Sequence, residues 1–500
     1  MTLKLESKAI KAAVPQLKFR TQAFIDGRYV NAIAGKTYDS INPATGKPLA
    51  QLAACEAADV DAAVKAARRS FEQGVWSTRS PAERKAVLLR LADLMEQNVG
   101  ELALLDCLDA GKPITDCLTM DGPDSAHCFR WHAEAIDKDY AQVAPTGPDQ
   151  VAMIVREPLG VIGAILPWNF PLQMAAWKLG PILATGNSVV VKPARQTSLS
   201  VLRLAELAAE AGLPEGVLNV VPGSGSVIGA ALCKHPGVDA VAFTGSTEVG
   251  RLLLQYSAES NLKRIVLELG GKNPQVVFDD AGDLDYIAQQ ALSCVFWNMG
   301  ENCSSGSRLI VHRKLKNKLL ARMIEFSKDW IVGNPLDPAT KVGPLIEASH
   351  LNKVLEYIES GKQEGAKLVL GGRRTLLKTG GFFVEPTIFD GVKPTMTIAR
   401  EEIFGPVLSV LTFDTEAEAI ALANDTQYGL TASLYTENLS RANRVARAIR
   451  AGTVSVNCFS EGDATTPFGG YKQSGFFGRD KSIFAHYQYC ELKTIWMQLT

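Results

Sequence analysis

The chain has 500 residues, 46% of them hydrophobic and 21% charged, and 52 Lys and Arg nearly balance 53 Asp and Glu for a net charge of −1. That length exceeds what one core usually supports, so two or more domains are expected. The balanced charge excludes electrostatic capture of nucleic acid or of an anionic membrane as a working principle. No run of about 18 apolar residues suggests a membrane span, and the N-terminal stretch lacks an apolar core of signal-peptide length. Nine cysteines, an odd number with no CxxC pair, argue against a disulfide framework or a structural zinc site and for a reducing cytoplasm. His127 and His132, the nearest histidine pair, lie in no ligand pattern and read as ordinary helical residues; no metal is expected.

Residues 1–20 read as a loosely held leader. Residues 24–41 alternate short apolar runs with Asp-Gly and Ala-Gly turn signals and predict a small β-hairpin layer. From 58 to 118 the apolar period is helical, with Asp59 and Ser80-Pro81 as helix starts, and a further helix is predicted over 124–138. The β-rich segments 150–157 and 487–499 stand apart from other strands. Each must find a partner in its own chain or in another subunit, and they are read as oligomer-forming edges. Between 161 and 277 strands and helices alternate. The strands 161–166, 188–192, 217–221, 240–244 and 264–267 are near-continuous apolar runs, as expected of a parallel, doubly wound sheet buried on both faces. Ligands of such sheets sit at the carboxyl ends of the strands, and those ends carry PWNFP, KPARQT, PGSGS, FTGSTEVG and ELGGK. Residues 273–450 repeat the α/β alternation with strands 276–278, 307–312, 367–370 and 407–413.

Cys303 lies in FWNMGENCSSGSR (296–308), a polar, glycine-bounded loop after an apolar helical segment. There a thiol is open to a ligand as a nucleophile, or it is a small residue in a packed turn. Gly223, Gly225 and Gly229 make an imperfect dinucleotide fingerprint, with three residues between the last two glycines and no acidic residue at the right distance. In FTGSTEVG (243–250) a strand runs through Gly245 and Ser246 into a helix, either a phosphate cradle or a tight turn. Glu268 ends a strand beside glycines. Its pKa would be raised toward that of a general base, unless it forms a surface salt bridge to Lys272. Asn169, between Trp168 and Phe170, offers an amide that stabilises an oxyanion or holds a turn.

Together the blocks 167–187, 192–197, 243–250, 267–274, 300–308, 401–407 and 467–475 resemble the aldehyde dehydrogenase superfamily over nearly the whole chain and in the family's order. The resemblance implies an aldehyde dehydrogenase-like α/β fold. Its parts would be a doubly wound cofactor-binding domain (21–138 and 159–272), a second α/β catalytic domain (273–480) and oligomerisation strands (139–158 and 486–500), in a homodimer or homotetramer. It also implies oxidation of an aldehyde to an acid with NAD through a thiohemiacetal and thioester on Cys303, with Asn169 at the oxyanion, Glu268 activating water and Lys178 assisting. The cofactor would lie along Ile165, Pro167, Trp168, Lys192, Ala194, Arg195, Gly225, Phe243, Gly245, Ser246, Leu269, Glu402 and Phe404. Many NAD-preferring members carry a glutamate where this chain has Arg195, which admits NADP as well.

Matching also puts Phe170, Met174, Trp177, Phe296 and Phe459 in the tunnel wall, although core packing would look the same in sequence. Glu461 and Asp463 at the mouth would attract a cationic ω-amino or guanidino group, or simply decorate a solvated loop. EAIDK (134–138) and the ending before PFGG resemble bacterial enzymes of polyamine breakdown, with a general aliphatic or aromatic aldehyde dehydrogenase as the alternative. A CoA-acylating member would not need Glu268. A non-catalytic protein would have no reason to keep the cysteine, base, amide and cradle together.

Overall fold

The computed structural model describes residues 3–499. Its first sheet has eight strands in the order Gly475–Phe476, Arg264–Glu268, Ala240–Thr244, Val161–Ile165, Ser188–Lys192, Leu218–Val220, Ala23–Ile25, Arg28–Val30. The five middle strands, 264–268 to 218–220, are parallel and the pairings outside them antiparallel. Alternation explains their near-continuous apolar sequences. Ile162, Ala164, Val189, Val191, Ala240 and Ala242 face one core, with helices Pro81–Gln97, Pro171–Ala184 and Leu199–Glu210. Val161, Ile165, Val190, Val241 and Phe243 face the other, with helices Ala57–Glu72 and Thr247–Ala258. A strand buried on both faces has no polar side to show.

From Val161–Ile165 the chain winds outward one way through 188–192 and 218–220, then returns to lay 240–244 and 264–268 on the other side. The order reverses between 161–165 and 240–244, and such a reversal opens a crevice at the carboxyl ends of the two strands. Residues 166–170 and 245–246 border it.

The second sheet runs Lys367–Leu370, Thr387–Asp390, Val407–Phe413, Arg308–His312, Pro274–Val277, Thr431–Tyr435, Thr453–Val456, parallel except for its first pair. Strands 387–390, 431–435 and 453–456 escaped the sequence reading. The last two, TASLY and TVSV, are short and rich in Ser and Thr. The isolated segments partner each other within the chain: Cys490–Gln498 pairs antiparallel with Gln150–Pro158 along all nine residues, and Gln142–Ala144 flanks the latter.

Two local expectations change. The leader is not loose: helix Ser7–Ala13 buries Ile10 and Ala13 against Leu104, Cys107 and Ile114; Met1 and Thr2 lie outside the described residues. The helix expected to start at Asp59 starts at Ala57. Asp59 is its third residue, and its carboxylate accepts the Glu56 N–H at 2.8 Å in a capping box. The helix predicted at Ser80-Pro81 does start there, with Ser80 as its cap.

Candidate active site

The loop carrying Cys303 is shaped by three consecutive left-handed residues after helix Leu284–Phe296: Asn298 (φ 51°), Met299 (φ 58°) and Gly300 (φ 69°). Only glycine fits at 300, because a side chain there would collide with the Gly405 backbone. Gly271 is constrained by approach instead: a Cβ would overlap the Cys303 carbonyl oxygen. That oxygen accepts Asn273 Nδ2–H at 2.8 Å. The two glycines therefore let the strand end at Glu268 and the loop at 402–405 close on the cysteine.

The cysteine opens into a cavity of about 260 Å³. One wall is Pro167, Trp168, Asn169, Phe170, Met174 and Trp177; another is Gly245, Ser246, Glu268 and Leu269; a third is Glu402, Phe404 and Glu461. Asn169 is buried, and its Nδ2 donates to the Glu301 carbonyl at 3.0 Å, which orients the amide and leaves its second N–H for the cavity. Glu268 is 4% exposed and neither carboxyl oxygen makes a well-formed hydrogen bond. Burial first, then the charge of Asp480, raises its pKa well above the usual carboxylate range. The salt bridge weighed for Glu268 does not form. Lys272 is itself buried, and burial lowers its pKa to about 7.

Lys178 stands outside the cavity wall, fully buried, and donates to Asp480 Oδ2 at 3.0 Å; Asp480 does line the cavity. Glu402 accepts the Gly271 N–H at 2.8 Å, and burial lifts its pKa to about 7. Ser246 caps helix Thr247–Ala258, its Oγ accepting Val249 N–H at 3.3 Å. The remaining expected residues follow the strand ends beyond this cavity. Ile165 and Lys192 end adjacent paired strands, Phe243 lies next to Ile165 across another pairing, and Ala194 and Arg195 continue from Lys192. Gly225 approaches Lys192, whose Nζ is 3.7 Å from the place of a Cβ. Lys192 is 5% exposed, and burial alone lowers its pKa to about 8. The exposed Arg195 spreads its guanidinium over Tyr38, 5.0 Å from the ring centre.

Two residues expected in the tunnel wall lie elsewhere. Phe296 is fully buried in the second sheet's core, edge-on to Trp330 at 5.8 Å; the next residue, Trp297, packs on Phe170 at 5.3 Å. Phe459 is not in the wall, its N–H being tied to Gln290 Oε1 at 3.0 Å. Asp463 is exposed and caps its own turn, accepting Thr465 N–H at 2.8 Å and Thr465 Oγ–H at 2.6 Å. Conversely, His350, Lys353, Phe468 and Asp480 line the cavity and were not singled out. Phe468 sits inside the quoted PFGG block, whereas His350 and Lys353 belong to an ordinary amphipathic helix with no local signal.

Cys303 is half-buried. Burial first, then the carboxylates of Glu461, Glu402 and Glu268, push its thiol well above the ordinary range. A raised pKa means a protonated thiol near neutrality and a thiolate that appears as pH climbs. Alkylation of Cys303 by iodoacetamide, read by peptide mass, is therefore expected to show a midpoint above the free-cysteine value of about 8.5. A midpoint at or below that value would mean that the site stabilises the anion without a cofactor.

A sequence profile of the aldehyde dehydrogenase family matches residues 29–495. The chain belongs to the aldehyde dehydrogenase family. It is 56% identical over 497 residues to an aminoacetaldehyde dehydrogenase of Pseudomonas aeruginosa, covering 99% of both chains. It is 49% identical to the NADP/NAD-dependent aldehyde dehydrogenase PuuC of Escherichia coli, covering 99% of this chain and 98% of that one. A crystal structure of an indole-3-acetaldehyde dehydrogenase with NAD+ superposes with a TM-score of 0.98 at 54% identity, covering 99% of this chain and 100% of that one. As a family member the chain is an oxidoreductase of aldehydes with the family's α/β fold. No helix among the described residues is long and apolar enough to cross a membrane, and no group of three or more His, Cys, Asp or Glu among them is placed to hold a metal ion.

Proposed function

We propose that this aldehyde dehydrogenase oxidises a short ω-amino or guanidino aldehyde to its acid with NAD, through a thioester on Cys303. The observation that carries the reading is the convergence of a thiol, a carboxyl group of raised pKa and an oriented amide on one enclosed cavity. Cys303, once its proton has passed to solvent, attacks the aldehyde carbon as a thiolate through Sγ, and the new oxyanion is held by Asn169 Nδ2–H and the Cys303 backbone N–H. Loss of hydride from that tetrahedral carbon leaves the thioester. Glu268, as carboxylate, takes a proton from water, the water attacks the thioester carbonyl, and the acid leaves as the thiol re-forms. Lys178 and Asp480 form a buried ion pair behind this carboxyl.

The residues present fit a dinucleotide. The N-terminus of helix Thr247–Ala258 with Ser246 suits a pyrophosphate. The uncompensated Lys192 ammonium suits ribose oxygens, and the Glu402 carboxylate suits ribose hydroxyls. Phe404, edge to face with Trp168 at 5.2 Å, suits the nicotinamide, which when bound would supply the hydride acceptor, and Trp168 suits the pyrophosphate side. Arg195 brings no negative charge to the adenosine end, so NADP is also accepted on this reading. The assignment of 21–138 and 159–272 to cofactor binding, 273–480 to catalysis, and 139–158 and 486–500 to assembly as a homodimer or homotetramer belongs to the same reading. So does a cytoplasmic place in polyamine breakdown. Exposed Val143, Leu492 and Trp496 on the three-stranded sheet support the assembly.

Glu461 supports the cationic substrate. It lines the cavity, accepts Asn302 Nδ2–H at 3.2 Å and a hydrogen bond from Ser304 Oγ, and is thus held by both neighbours of Cys303. The relationship to an aminoacetaldehyde dehydrogenase points the same way. A second reading, an aromatic aldehyde, is favoured by the Phe170, Trp177 and Phe468 walls and by the indole-3-acetaldehyde dehydrogenase likeness. Comparing 4-aminobutyraldehyde with butyraldehyde separates them. The amino compound is expected to have the higher kcat/KM by at least tenfold, about 1.4 kcal/mol, and Glu461→Gln is expected to erase that preference. Equal or reversed values in the wild type would sink the cationic substrate.

A further inference from the structure

We infer that Lys112 is a positioning residue for the oxyanion donor, a buried ammonium that pins the Asn169 loop to the Cys303 loop. The inference rests on the reading of Asn169 given above. Lys112 is 1% exposed and does not line the active-site cavity, yet its Nζ reaches both loops. It donates to Asn298 Oδ1 at 2.6 Å and to the Asn169 carbonyl at 3.2 Å, and it sits 3.6 Å from the centre of the Phe170 ring. Its charge is compensated by Asp121 Oδ2 at 3.0 Å, also buried.

Asn298 completes the clamp. Its Nδ2 donates to the Asn169 carbonyl at 3.1 Å and to the Glu301 carbonyl at 3.0 Å, and the Glu301 carbonyl is also the acceptor for Asn169 Nδ2. The Glu301 carbonyl therefore fixes the catalytic amide, Asn298 holds that carbonyl, and Lys112 holds Asn298 in its left-handed backbone. A non-glycine αL residue persists only where its surroundings over-determine it. A buried ammonium with a short hydrogen bond, an ion pair and an aromatic face is such a surrounding. Phe170, under the ammonium, also lines the cavity beside Asn169. Lys112 touches neither cysteine nor aldehyde; it acts by keeping the second Asn169 N–H aimed where negative charge develops.

The test is a double-mutant cycle on the NAD-loaded enzyme with butyraldehyde. Lys112→Met is expected to lower kcat/KM about tenfold while the KM for NAD moves less than twofold. In an Asn169→Ala background the same change is expected to cost less than twofold. A comparable loss in both backgrounds, or no loss in either, overturns the role of Lys112 alone. An Asn169→Ala enzyme with undiminished activity would overturn the reading of Asn169 and this inference with it. Should Lys112→Met not fold, Asn298→Gly, which keeps the left-handed backbone but removes the bridging amide, carries the same cycle with the same outcomes.

Discussion

Glu268→Gln is expected to complete one acylation with its hydride transfer and then stall before hydrolysis. On the proposed mechanism the first half of the reaction needs Cys303, Asn169 and a hydride acceptor, so a burst of reduced cofactor near one equivalent per site should persist. The second half needs a base for water, and removing a positioned general base costs about 10²–10⁴-fold. The buried carboxyl is set for that work. With its pKa raised by desolvation and by Asp480, it binds a proton at low pH and becomes the carboxylate base as pH rises. The wild-type kcat is therefore expected to climb with pH through the folded-state pKa of Glu268, and the variant should lose that limb of the profile. Stopped-flow absorbance gives burst and steady state in one trace. Full multi-turnover rate in Glu268→Gln would remove Glu268 from the deacylation step.

Asn169→Ala is expected to lose about 10²–10³ in kcat, the usual cost of one oxyanion donor. The geometry explains why the loss should fall on the rate and not on binding. The amide is held through one N–H by the Glu301 carbonyl, so the other is oriented before substrate arrives. An interaction made only as charge develops lowers kcat and kcat/KM together. The loss should therefore appear already in the burst rate, in contrast to Glu268→Gln, where the burst survives. A rise in aldehyde KM with kcat intact would make Asn169 a ground-state contact instead.

Much of this site was legible in the sequence because its chemistry is carried on strand ends. The run SVVVK at 188–192 is apolar on both faces, so its end at Lys192 was predictable. The strand ending at Glu268 and the PWNFP and FTGS blocks were readable for the same reason, and the sheet reversal brings them to one crevice. What failed was orientation within irregular backbone. Phe296 and Trp297 are consecutive, yet the first turns into the core at the helix end and the second reaches Phe170. Glu461 and Asp463 are two apart on one loop, but only Glu461 is pulled inward, by Asn302 and Ser304, while Asp463 spends its oxygen on Thr465. Neither difference has a periodic signature. Contacts made only by tertiary folding were equally hidden. Asp480 meets Lys178 across 302 positions and Lys112 meets Asn298 across 186. The leader helix was misread because the surface that buries Ile10 comes from residues near 104–114.

The central claim is that the reaction passes through an acyl group on Cys303. The most direct measurement is an acid quench of Glu268→Gln with NAD and butyraldehyde, followed by peptide mass spectrometry. The account predicts that the Cys303 peptide gains the mass of the aldehyde less two hydrogens, in an amount that matches the burst. An unmodified Cys303 peptide alongside a full burst, or the same mass gain on another cysteine, would contradict it.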